Sequence, residues 1–242
     1  MNMEKSENAR VYHEHGVVRI KSFFSADELA RVRDELQRYM RTKLSALPES
    51  DRVMEADGRS VRNMWRMEQH DAYFKELGER KDILDLIGDF VRGEPLLTGV
   101  ETFNKPALVG SGVPWHQDNA YFCLVPPDAL TLWIAIDEVT EANGAVYYIQ
   151  GSHRDGVFPH IKSGVAGNSM KLAAKPGAAG KEFCATLAPG DAVIHHCQTI
   201  HRSEPNTTDK PRCGLLMVYK GKHTQADPKL KAHYEQGMAR KV

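Results

Sequence analysis

The chain contains no apolar run near the roughly 18 residues that a bilayer-spanning helix requires. Its start, Met1 to Arg10, is polar, which gives no expectation of a secretory leader. Cysteine is scarce: Cys123, Cys184, Cys197 and Cys213 show no CxxC spacing, so a disulfide framework is not expected and a reducing cytoplasm is the natural setting. Excess charge is also missing. Lys and Arg together number 32, matching 32 Asp and Glu, so no global field draws the chain to nucleic acid or to a membrane. Internal repeats and low-complexity tracts are absent as well. What is present is 242 residues, enough to bury a core without covalent staples, and a single domain over 1–242 is expected.

Local patterns divide that domain into a helical part (about 1–95), a barrel (about 96–220) and a basic tail (221–242). Gly16-Val17-Val18-Arg19-Ile20 reads as a short strand. Ser25 followed by Glu28 forms a capping box, and Leu29, Val32, Leu36, Tyr39 and Met40 continue at helical spacing to about Leu44. Asp57-Gly58 predicts a hairpin between Arg52-Met54 and Val61-Trp65. A second helical pattern covers Asp71 to Val91 and is split at Gly78. After Pro95 the period changes, and short β-type runs follow: Leu96-Phe103, Trp115-Phe122, Leu130-Ile136, Ala145-Ile149, Ala192-His196 and Cys213-Tyr219. Many short strands without helices between them indicate an antiparallel barrel or sandwich, with the early helices packed on one face, an α+β arrangement. Arg154 to Ala188 reads as an irregular loop, and a short helix near Pro228 to Met238 is weakly signalled.

The chemistry concentrates at Pro114-Trp115-His116-Gln117-Asp118-Asn119-Ala120-Tyr121-Phe122. On a strand, His116 and Asp118 would share one face with Ala120 and Phe122, and Tyr121 would point the other way unless the strand is bulged. Imidazole plus carboxylate supplies two ligands of a divalent first-row metal, and a further histidine would complete the facial triad that suits non-heme Fe(II) oxygenases. His195, His196 and His201 are the candidates at one strand end. Arg212, eleven residues beyond His201, is expected on a neighbouring strand beside it. A planar guanidinium there suits one carboxylate of a dicarboxylate co-substrate whose other end chelates the metal.

These residues resemble the phytanoyl-CoA dioxygenase family of Fe(II)/2-oxoglutarate oxygenases. The match runs from Gly16-Val17-Val18 and Phe23 through His116-Gln117-Asp118, Tyr121-Phe122, Asp128 to Ile136, Asn143-Gly144-Ala145, Gly151-Ser152-His153 and Gly190-Asp191 to His201-Arg202-Ser203 and Arg212. Gln150 stands where that family often has proline. The resemblance implies a double-stranded β-helix (jelly-roll) with His116, Asp118 and His201 on Fe(II). It implies 2-oxoglutarate as co-substrate, its distal carboxylate on Arg212 with help from Thr131 and Ser203, Asn104 as a further contact and Trp133 as a wall. Dioxygen would then oxidise 2-oxoglutarate to succinate and CO2 while a substrate C–H is hydroxylated. Asp118 speaks against halogenation, because similar halogenases lack that carboxylate.

Plainer readings exist for most of these residues. A histidine two residues from an aspartate is often structural, strand hydroxyls are usually β-formers, and Trp115, Tyr121 and Phe122 could be core. Trp115, Gln117 and Phe122 are nevertheless candidate substrate contacts. Of His195 and His196 only one can face inward, supporting the ligands from behind. Arg154, Lys162, Lys171, Lys175 and Lys181 make the long loop basic and suggest an anionic small-molecule substrate, although a solvated loop explains them equally well. A monomer or homodimer acting on a small molecule is expected. The alternatives are a non-catalytic jelly-roll binding protein and a metal hydrolase, which has no need of Arg212.

Overall fold

A computed structural model describes residues 2–177 and 180–239. The ends of the expected domain (Met1 and residues 240–242 of the basic tail) and residues 178–179 of the long loop lie outside the described residues. Helix α1 (Asn2–His15) leads into strand β1 (Val17–Ile20), then helix α2 (Ala26–Lys43). The capping box closes α2 as expected: the Glu28 N–H donates to Ser25 Oγ at 3.3 Å and the Ser25 N–H to Glu28 Oε2 at 2.9 Å. Hairpin β2 (Arg52–Met54) and β3 (Val61–Met64) turns at Asp57-Gly58, followed by α3 (Met67–His70), α4 (Ala72–Gly78) and α5 (Lys81–Ile87). The break at Gly78 has a packing reason, since a Cβ there would sit 2.7 Å from Leu97.

The strands continue as β4 (Pro95–Lys105), β5 (Val113–His116), β6 (Leu124–Val125), β7 (Ala129–Ala135), β8 (Val146–Ile149), β9 (His160–Val165), β10 (Asn168–Leu172), β11 (Glu182–Ala185), β12 (Ala192–His196), β13 (His201–Ser203), β14 (Arg212–Gly221) and β15 (Gln225–Ala226). A helical turn α6 (Asn119–Phe122) precedes β6, and α7 (Pro228–Ala239) ends the described chain. Seven strands form one antiparallel sheet in the order β1-β12-β7-β14-β4-β3-β2, and four form the other, β11-β8-β13-β5. This is a double-stranded β-helix.

The large sheet uses its two faces differently. Val100, Leu130, Leu132, Ile134, Ile194, Leu215, Met217 and Tyr219 pack outward against Val32, Leu36, Tyr39, Phe74, Ile83 and Ile87 of the helices, the main core. The alternate residues face the second sheet, where Val17, Trp133, Val193 and Leu216 meet Tyr148 and Ala185 in a smaller cluster.

Three sequence expectations need correction. The run 115–122 is not one strand: β5 stops at His116, Asp118 adopts αR angles (φ −60°, ψ −35°) and α6 follows. The Tyr121 and Phe122 N–H groups both donate to the Asp118 carbonyl, at 3.0 and 2.9 Å, so period-two reasoning fails beyond residue 116. The segment 154–188 is largely ordered, with the β9/β10 hairpin and β11, which pairs with β8. His201 and Arg212 do not lie on adjacent strands; β13 and β14 belong to opposite sheets, because residues 204–211 cross between them. Among the described residues no helix is long and apolar enough to cross a membrane.

Candidate metal and co-substrate site

Cross-strand register brings the ligand candidates together. His201 on β13 pairs with His116 on β5 and with Tyr148 on β8, all facing the space between the sheets. Asp118 reaches the same point from the first turn of α6. Its Oδ1 lies 3.6 Å from His116 Nε2 and 3.5 Å from His201 Nε2, and the three ligand atoms all lie within 4.8 Å of one another. All three side chains are buried.

Each imidazole is oriented from behind. His116 Nδ1 donates to the Pro114 carbonyl at 2.9 Å and His201 Nδ1 to the Thr199 carbonyl at 2.9 Å. A carbonyl only accepts, so Nδ1 carries the proton and Nε2 presents its lone pair toward Asp118. Burial lowers both pKa values, keeping the rings in the neutral form that a metal needs. Burial alone would raise Asp118. The imidazoles of His201, His195 and His116 outweigh it and hold the carboxylate well below its usual range.

Asp118 is also surrounded by donors. His195 Nε2 bonds Oδ2 at 3.1 Å, Thr131 Oγ1 bonds Oδ2 at 3.3 Å, and the Tyr121 hydroxyl donates to Oδ1 at 2.5 Å. His195 is therefore the inward member of its pair; Tyr148 donates to its other nitrogen at 3.3 Å. His196 faces away, packing near Tyr12 and His153. The Tyr121 contact was hidden from the sequence by the strand assumption. Asp118-Asn119, two residue types that favour turns, was the local signal available for it.

A cavity of about 580 Å3 opens beside the three ligands, and Arg212 lies in its wall. Arg212 is 1% exposed. Its Nη2 donates to the Gly144 carbonyl at 2.5 Å and its Nη1 to the Phe103 carbonyl at 3.3 Å, and its guanidinium carbon stands 5.0 Å from the Trp133 ring centroid. Two glycines make this possible. Gly144 has φ +90°, which a side chain would strain, and a Cβ on Gly214 would lie 2.2 Å from the Trp133 ring. Nε is buried without a hydrogen-bond partner, and among the described residues the guanidinium bonds carbonyls and no carboxylate. Burial pulls its pKa down to about 10. A buried guanidinium in a cavity wall without a counter-charge is suited to an anionic ligand. The donor set and this cation together fit iron with 2-oxoglutarate.

Of the other expected residues, Ser203, Phe122, Thr131 and Trp133 line this cavity. Thr131 contacts Asp118, at the ligand end, while Trp133, two residues along β7, lies under Arg212. Three do not belong to the cavity. Asn104 falls on the opposite face of β4 from Glu101 and Phe103, because alternation turns it outward. Trp115 packs with Ile149, Leu172 and Ile200 and carries Arg202 over its ring. Gln117 is fully buried with its amide engaged by backbone: Nε2 donates to Gly156 and Gln198 carbonyls at 2.8 and 2.7 Å, and Oε1 accepts from the Phe158 N–H at 2.8 Å. Its own N–H donates to His160 Nε2 at 3.1 Å. Gln117→Ala is expected to cost about 1–3 kcal/mol of stability, because those backbone groups lose their partner; a thermal melt checks it. Nor do the loop lysines Lys162, Lys171, Lys175 and Lys181 line the cavity. Arg202 does, but it is committed to Glu204 and Glu182.

A sequence profile described as Phytanoyl-CoA dioxygenase (PhyH) matches residues 12–214. The chain belongs to the phytanoyl-CoA dioxygenase family. Among its relatives, a probable alpha-ketoglutarate-dependent hypophosphite dioxygenase of Stutzerimonas stutzeri is 28% identical over 226 residues, 88% of this chain and 78% of that one. A probable phytanoyl-CoA dioxygenase of Caenorhabditis elegans is 27% identical over 234 residues, 88% and 74% of the two chains. In fold the chain is similar to SnoN, a non-heme alpha-ketoglutarate-dependent epimerase from nogalamycin biosynthesis, with TM-score 0.77, 20% identity, and 100% and 92% of the chains covered. It is also similar to EctD from S. alaskensis, solved with 2-oxoglutarate and 5-hydroxyectoine, with TM-score 0.75, 20% identity and 89% and 75% coverage. As a member of this family the chain is an Fe(II)/2-oxoglutarate-dependent dioxygenase, using iron, 2-oxoglutarate and dioxygen.

Proposed function

We propose that this dioxygenase hydroxylates an aliphatic C–H of a small metabolite, with release of succinate and CO2. In this reading His116, Asp118 and His201 hold the iron, and Arg212 holds the distal carboxylate of 2-oxoglutarate. The observation that carries it is a buried guanidinium without a carboxylate partner, in the wall of the same cavity as three converging ligand atoms. Iron with 2-oxoglutarate and dioxygen supplies the oxidant.

The chain's own residues do the rest. The Pro114 and Thr199 carbonyls keep His116 and His201 presenting Nε2. His195 and Thr131 bind Oδ2 of Asp118, so that the carboxylate cannot swing and Oδ1 stays aimed at the imidazoles. The Trp133 ring and the Gly144 carbonyl fix the guanidinium plane before the co-substrate arrives, which lowers the ordering cost on binding. Phe122, Leu216 and Val218 give the cavity apolar walls that exclude water around the target carbon.

The test is substrate-dependent succinate release with dioxygen uptake in the iron-loaded protein, with the product checked by mass for one added oxygen. Turnover without dioxygen would favour the hydrolase alternative. Failure to consume 2-oxoglutarate with any substrate would favour a binding protein.

A further inference from the structure

We propose that the substrate carries an ammonium or similar cationic donor group and that the carboxylate of Glu101 is its counter-charge. This deepens the oxygenase reading above and rests on it for the fate of that substrate.

Alternation along β4 places Glu101 on the cavity face between Gly99 and Phe103, opposite Leu216 of β14. Among the described residues its carboxyl makes no hydrogen bond and no ion pair. Its neighbour Glu68 is occupied by the Val100 N–H at 2.7 Å. Arg66 lines the same cavity but bonds Asp51 and Ser50. Burial pushes the Glu101 pKa up to about 8, and Asp118 and Glu68 push in the same direction, with Arg66 opposing. A carboxyl in that setting gains most from a ligand that brings positive charge.

Two buried carboxamides line the same cavity. Asn63 is 1% exposed and Asn168 is 7% exposed, and in each the Oδ1 atom is buried without a partner. Buried polar groups normally find partners, so orphaned amides lining the same cavity as an unpaired, partly exposed carboxyl point to a polar ligand that satisfies them. The rings of Trp65, Tyr121 and Tyr234 stand in the same wall, and aromatic faces attract cations.

Charge balance agrees. Ferrous iron with Asp118, and dianionic 2-oxoglutarate with Arg212, make a centre with no net formal charge, which leaves the Glu101 carboxyl to ionise when a cation binds beside it. The nearby basic residues Arg66 and Arg202 are already engaged, so an anion would find no available cation beside Glu101. Hypophosphite, the anion in a relative's name, is therefore the informative opposite probe.

The experiment is calorimetric titration of the Fe(II)/2-oxoglutarate-loaded protein under anaerobic conditions with n-butylammonium, n-butanol and hypophosphite. Butylammonium should bind about tenfold or more tighter than butanol, as a charge-assisted hydrogen bond provides. Glu101→Gln should erase that preference, and Glu101→Asp should keep part of it, while both retain wild-type affinities for Fe(II) and 2-oxoglutarate. Tighter binding of hypophosphite than of butylammonium, or an unchanged ammonium preference in Glu101→Gln, would overturn the proposal. Should Fe(II) and 2-oxoglutarate themselves fail to bind, the oxygenase reading falls, and the same titration of the unloaded protein still decides Glu101.

Discussion

Asp118→Ala is expected to abolish Fe(II) binding and, with it, all 2-oxoglutarate consumption, while the jelly-roll survives. The carboxylate is the only anionic ligand of the three, and its Oδ1 is within 3.6 Å of both Nε2 atoms. Without it two neutral imidazoles remain, a weak site for ferrous iron. The fold does not depend on the metal in the same way, because its core lies between the large sheet and the helices, on the other face. Removing the side chain does leave the His195 N–H and the Thr131 and Tyr121 hydroxyls without their acceptor, a loss of about 1–3 kcal/mol in stability. Anaerobic iron titration followed by calorimetric melting separates the two effects. Retained iron affinity would remove Asp118 from the metal site. His116→Ala should behave similarly toward iron, without the three orphaned donors.

Arg212→Ala is expected to raise the 2-oxoglutarate concentration needed for turnover by about two orders of magnitude or more, since each hydrogen bond to a charged group contributes roughly 1.5–3 kcal/mol. Arg212→Lys should fall between, because an ammonium keeps the charge and loses the planar fork. Stability should not follow affinity. In the free protein the guanidinium is buried with only carbonyls and a Trp133 face around it. Replacing such a cation by a methionine of similar length is expected to leave the melting temperature unchanged or higher. A variant that melts higher and binds 2-oxoglutarate more weakly is the pattern expected of a site strained in favour of its ligand. An unchanged 2-oxoglutarate KM in Arg212→Ala would rule the residue out as the anchor.

Elements with strong local signals were legible in the sequence. The Ser25/Glu28 box, the Asp57-Gly58 turn, the break at Gly78 and strand 192–196 all appear where pattern placed them. So does the convergence of His116, Asp118 and His201. One failure came from extending a local period past a point where backbone geometry changes. Asp118 begins a helical turn, and that alone moved Tyr121 from the far face onto the carboxylate. Asn104 was expected from the family resemblance, and its parity on β4 turns it away from the cavity, while the opposite parity exposes Glu101. A lone carboxylate in Leu96–Phe103 was the available signal for that residue. Helix α1 has no amphipathic pattern, and the β9/β10 hairpin is short and polar, so neither announced itself.

The contacts of residue 117 give segment 156–169, which carries β9, two mechanically different ends. At its root, Gly156, Phe158 and His160 are all bonded to Gln117, between two proposed ligands. At its crest, Val165, Gly167, Asn168 and Ser169 overhang the cavity. Drift at the crest can retune which molecule is admitted, whereas drift at the root disturbs the iron cradle itself. A lineage exploring new substrates would vary the crest and keep the root.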